Sequence, residues 1–170
     1  AGFLSSLIFG ALFLWVVAPA WPPTVAYPLS PWLLVAPLVW AGAAAGFGRH
    51  ALRRLSDGGS PTFSLALCCS AHLLAATALA VAMTEIRDPA AHAHAAISWA
   101  ILGFAMLHAA IALLLAGFGM FRARAGYLSP LRSLDLRIGT LWHDFSLVVT
   151  LVCVLASLFL GFAGDRGVRP

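Results

Sequence analysis

The sequence predicts an all-α membrane protein, a bundle of five transmembrane helices, on three observations. Hydrophobic residues make up 62% of the chain and charged residues only 9%, far below the roughly one-quarter charged content of soluble domains. The apolar residues gather into five runs, each able to cross a hydrocarbon core of about 30 Å at a rise of about 1.5 Å per helical residue. The charges fall almost entirely in the breaks between those runs. No break is long enough to fold by itself and no internal repeat is visible, so residues 1–170 read as a single transmembrane domain.

The predicted helices cover residues 3–20, 32–48, 61–84, 93–121 and 139–162. The first break contains Pro22, Pro23, Pro28 and Pro31, which lack amide donors and stop a helix, beside Trp21 and Tyr27, which suit a membrane interface. In the second helix, Gly42 and Gly46 form a GxxxG spacing within a run of alanines, the pattern that lets helix backbones approach closely. Arg49, Arg53 and Arg54 follow, and Asp57-Gly58-Gly59 breaks the chain. The third break, residues 85–94, is short and mixed in sign. The fourth, residues 122–137, carries Arg122, Arg124, Arg132 and Arg137 with Asp135.

With five spans, the second and fourth breaks share a face with the N-terminus. The arginine excess on that face predicts a cytoplasmic N-terminus and a C-terminus outside. The net charge of +4 includes no lysine, and its arginines read as topology determinants, not as a nucleic-acid surface. Cys68, Cys69 and Cys153 all lie within apolar runs, without CxxC or Cys/His metal spacing, and read as reduced core residues.

Polar groups inside a span are costly unless paired, so each calls for a partner. His72 and His108 lie about 15 and 20 Å from the arginine-rich ends of the third and fourth predicted helices. Those depths nearly match, which permits a bis-histidine haem of a small b-type cytochrome or quinone-reactive anchor. Hydrogen bonding to backbone or to each other is the competing and preferred reading, because each helix carries one midplane histidine. His50 and His143 are expected near the arginine-rich face, with no ligand-like partner at matched depth for His143. His92 and His94 form a His-x-His fragment, but two ligands pointing in different directions make no metal site.

Trp142, His143 and Asp144 stand together near the start of the last predicted helix. Trp142 reads as an interfacial anchor and His143 as a hydrogen-bonding imidazole. Asp144 should pair with a cation from the second break, an arginine or His50, because neighbouring residues on a helix do not face one another. Glu85, at a helix end, is expected to be solvated. No nucleophile-and-base set, phosphate-cradling loop or carboxylate pair can be assembled, so no catalytic, metal or cofactor-binding residue is expected in this chain.

In order along the chain, these landmarks resemble subunit III of the haem-copper respiratory oxidases in its five-helix form. Trp21-Pro22-Pro23 with Pro31 and Leu33-Leu34 is similar to the turn between two early helices of that subunit. Ala41-Gly42 through His50-Ala51-Leu52 resembles its small-residue helix, and Thr84-Glu85-Ile86 stands where the family has a glutamate followed by an aromatic. Ser98-Trp99 through Leu107-His108 and then Leu141-Trp142-His143 resemble its last two helices. Two departures are clear. No acid lies in residues 3–20, where the family has a glutamate, and the aspartate that follows the Trp-His pair in the family falls on Ser146.

The resemblance implies an accessory subunit without haem or copper of its own. It would pack against the catalytic subunit I of a terminal oxidase in a bacterial inner membrane, protect it during turnover and support proton uptake, partly through bound phospholipid. Haem and copper would belong to the partner subunit. The first residues, Ala1-Gly2, without methionine or a basic leader, read as a trimmed start or as the continuation of a subunit I and III fusion.

Overall fold

The computed structural model describes residues 2–17 and 29–162, and its regular elements there are all helices. The elements are α1 (Gly2–Val17), α2 (Pro31–Ser56), α3 (Thr62–Thr84), α4 (Ala93–Arg124) and α5 (Leu134–Phe162). Four of them, α2 to α5, are long and apolar enough to cross a membrane, and α1 is a shorter apolar helix of 16 residues. The chain is therefore a multi-pass membrane protein. Of the expected first span, residues 18–20 lie outside the described residues, as does the Trp21-Pro22-Pro23 turn.

Local chemistry explains the ends. Pro31 opens α2, where its missing amide loses nothing. Gly58, with φ of 77°, carries the chain out of α2 in a left-handed conformation open to glycine at little cost. Gly126, with φ of 74°, does the same after α4. His92 caps the start of α4 by accepting the amide hydrogen of Ala95 at its Nδ1, 3.0 Å away.

Three helices run further into the arginine-rich breaks than the sequence predicts. α2 continues through Arg49, Arg53 and Arg54 to Ser56, α4 continues to Arg124, and α5 begins at Leu134, not near residue 139. Charged residues at these ends belong to helix sides, not to loops. Arg122 of α4 pairs with Asp135 in the first turn of α5 at 3.0 Å, where an acid is also favoured by the helix dipole.

α2 packs against α3 and α5, and α4 packs against the same two, so α3 and α5 face each other across the centre of a four-helix arrangement. α1 lies outside it, mainly against α4. Contact between helices runs through small residues. Ala41, Ala44, Ala45, Gly48 and Ala51 form the buried stripe of α2, and Ala71 and Ala75 of α3 and Ala105, Ala109, Ala112 and Ala116 of α4 continue that pattern. In lipid such faces gain dispersion contacts that bulky side chains would prevent. The expected GxxxG contact is displaced by one face: a Cβ at Gly42 or Gly46 would meet nothing within 4 Å, whereas one at Gly48 would collide with His143.

Along the bundle the interior is layered. Ala51, Leu55, Leu65 and Leu136 close the arginine-rich end. Next come the small residues Ala44, Cys68, Ala71 and Ala116. Beyond them lies a larger apolar core that includes Leu79, Ile101, Leu102, Val154 and Leu160, and to which Ala11 of α1 is joined.

Candidate functional site

The small-residue layer leaves room for polar side chains at the centre of the bundle. His72 follows the start of α3 by ten residues and His143 follows the start of α5 by nine, so both lie about 14–15 Å from the same end. They meet there. His72 Nε2 and His143 Nδ1 are 3.0 Å apart in a hydrogen bond, with the two rings 0% and 1% exposed. Gly48 makes this possible, because a Cβ at that position would approach His143 Cδ2 to 2.7 Å.

This corrects the expected depth of His143. Starting the last helix at Leu134 moves it from the face into the interior, and it has a partner at matched depth after all. His72 and His108 are not brought into one pair. His108 Nδ1 bonds to the carbonyl oxygen of Phe104 at 2.9 Å, and its ring stacks on Trp142 with centroids 5.9 Å apart and planes within 4°. Trp142 lies eight residues into α5 and packs on His108 and Phe145, so it is a bundle residue and not an anchor at the helix mouth.

Cys68 joins the histidine pair. It lies one turn before His72 on the same face of α3, fully buried, and donates its thiol hydrogen to the Ala44 carbonyl oxygen of α2 at 3.3 Å. Cys68, His72 and His143 each offer one ligand atom within 4.8 Å of the others, the arrangement among the described residues that could hold a metal ion. The four-residue step from Cys68 to His72 is the signal that a search for CxxC spacing overlooks; the third member, 71 residues on, is visible only in the fold.

Asp144 faces the other way from His143 and pairs with α2. Arg49 Nη2 lies 2.7 Å from Asp144 Oδ1, and Arg49 Nε donates to Oδ2 at 3.3 Å, so the guanidinium grips both carboxylate oxygens. The partner is thus an arginine following the small-residue run, in the class expected from the sequence. His50 is exposed, as is Glu85 at the end of α3. His92 uses its Nδ1 as a helix cap, and its ring lies 5.9 Å from that of His94. The three cysteines are free thiols, Cys68 and Cys153 buried and Cys69 half-buried.

The arrangement offers two things chemically. At the centre, two imidazoles and a thiol can share a proton or an ion. Around the arginine-rich end, Arg49–Asp144 and Arg122–Asp135 tie α5 to both of its neighbours. No protein-family model and no curated protein matches this chain.

Proposed function

We propose that this chain is a non-redox accessory subunit of an aerobic terminal oxidase of the cytochrome c oxidase type, packed against a haem-copper catalytic subunit in a bacterial inner membrane. The ordered landmarks from Trp21-Pro22-Pro23 to Leu141-Trp142-His143 support the family. The observation that carries the reading is that the polar side chains bind across helices, His72 to His143 and Arg49 to Asp144, as a scaffold's would. Large apolar side chains meanwhile point outward along α4, among them Leu107, Leu114, Phe118 and Phe121, offering surface to lipid and to a neighbouring subunit.

In this reading the arginine-rich end faces the cytoplasm, following the cationic bias of cytoplasmic loops, and the N-terminus lies on the same side. The chain stabilises the catalytic subunit, supports its proton uptake and holds phospholipid, whether it is a separate polypeptide or is joined to subunit I. Expression of the chain with its catalytic subunit tests the proposal. Co-purification in mild detergent, with all haem and oxidase copper absorbance assigned to the partner, is the expected result. A Soret band on the chain by itself that disappears in His72→Ala or His108→Ala would instead mark a b-type cytochrome.

A further inference from the structure

The buried trio at the centre of the bundle has a chemistry that the scaffold role does not use. Cys68, His72 and His143 are 0%, 0% and 1% exposed, and their ligand atoms lie within 4.8 Å of one another. One thiol and two imidazoles are the donor set that soft, low-coordinate ions select. A second observation points the same way. His72 Nδ1 is buried and has no hydrogen-bond partner among the described residues, and neither has Ser146 Oγ, on the His143 side of α5 one turn further on. Unsatisfied polar atoms at this depth call for a ligand.

We propose that Cys68, His72 and His143 form a buried binding site for one copper(I) ion. Charge and coordination number decide the metal. A thiolate with Cu(I) is neutral overall, whereas the same ligands with Zn(II) leave a net positive charge in a layer where no carboxylate is among the three donors. Zinc also requires a fourth ligand, while Cu(I) is content with thiolate and imidazole donors. Bonds of about 2.0–2.3 Å bring such ligand atoms within about 4 Å of each other, so the trio closes on an ion with movements on the order of 1 Å.

Binding exchanges one proton. The Cys68 S–H bond, now directed at the Ala44 carbonyl oxygen, breaks as the S–Cu bond forms, and the proton leaves to solvent. The hydrogen bond between His72 Nε2 and His143 Nδ1 opens, and its proton moves to the other nitrogen of the ring that carries it, so both imidazoles stay neutral and each presents a lone pair. Copper enters and departs in the +1 state, so nothing is oxidised. A cavity of about 100 Å³ near the Asp135 end of α5, lined by Leu65, Ala116, Asp135 and Gly139, reaches one member of the trio, His143. Gly48 and Gly139 flank the His143 ring, so that no β-carbon presses on it from either position. The site is independent of the accessory-subunit reading, and its failure would leave that reading intact.

The full chain, purified in detergent under anaerobic reducing conditions, is titrated with Cu(I) against a chromophoric Cu(I) chelator, with no catalytic subunit present. The expected result is one Cu(I) withdrawn per chain, with sulfur and imidazole scattering at the copper X-ray absorption edge. Cys68→Ser weakens binding on the order of 100-fold or more, since even outer-sphere changes cost 10–100-fold. Cys69→Ser, next along the helix but outside the trio, leaves it unchanged. Helical content by circular dichroism separates loss of binding from loss of fold, and the sulfur scattering of the native chain needs no variant at all. Failure to compete with the chelator, equal loss in both cysteine variants, copper without sulfur scattering, or retention of zinc in preference to Cu(I) would each overturn the proposal.

Discussion

Gly48 of α2 and His143 of α5 are matched in size: a single methyl group at residue 48 would lie 2.7 Å from His143 Cδ2. The absent side chain of one residue is the space occupied by the ring of the other. That relation places the imidazole within reach of His72, and through it links α2, α3 and α5 at one level.

Gly48→Ala is accordingly expected to cost about 1–3 kcal/mol, the usual penalty of overpacking a close-packed interior. Gly42→Ala and Gly46→Ala, where a Cβ meets nothing, should be neutral or slightly stabilising through better helix propensity. Thermal unfolding of the three variants in one detergent checks the contrast. A larger loss at Gly42 or Gly46 than at Gly48 would show that the GxxxG pair, not Gly48, makes the close approach.

The His72 and His143 pair should behave as a unit. Replacing either with Phe leaves the other imidazole buried without its bond, at a cost of about 1–3 kcal/mol. The double replacement should cost less than the sum of the two, because it removes both unsatisfied partners at once. A double-mutant cycle on thermal or denaturant stability measures that difference directly, and strict additivity would count against the bond.

Arg49 and Asp144 are half and one-third exposed in their side chains, which limits their worth. A cycle with Arg49→Ala and Asp144→Ala is expected to give a coupling of about 0.2–1 kcal/mol, falling as salt rises. His50→Ala, beside Arg49 but not part of that pair, should leave the coupling unchanged.

At Gly126 the backbone, with φ of 74°, sits where L side chains are strained. Gly126→Ala should therefore destabilise by about 1 kcal/mol despite open space around it. Ala125→Gly, on the preceding residue with φ of −79°, makes the matched control.

The helices were legible because twenty-residue apolar runs have few alternatives in a membrane, and the arginine-rich breaks fell where α2, α4 and α5 reach one end of the bundle. Their bounds were not. Arg49 to Ser56 and Leu134 to Ile138 look like loop by composition, yet their charges lie on helix sides, where Arg49 and Asp135 find partners on neighbouring helices. Because α5 starts more than one turn earlier than composition implies, His143 lies inside the bundle and meets His72, a contact the sequence does not reveal. Asp144 was readable because an acid inside an apolar run needs a cation and Arg49 was the nearest class of donor. The Cys68, His72 and His143 cluster was not, because its third member arrives from a distant helix across the bundle centre.

The accessory-subunit proposal is tested most directly by following oxygen consumption by the haem-copper catalytic subunit through many turnovers, with and without this chain. Similar initial rates and a much faster loss of activity are expected when the chain is removed, with stability restored by adding it back. Identical time courses in both preparations, with the chain recovered unbound, would contradict it.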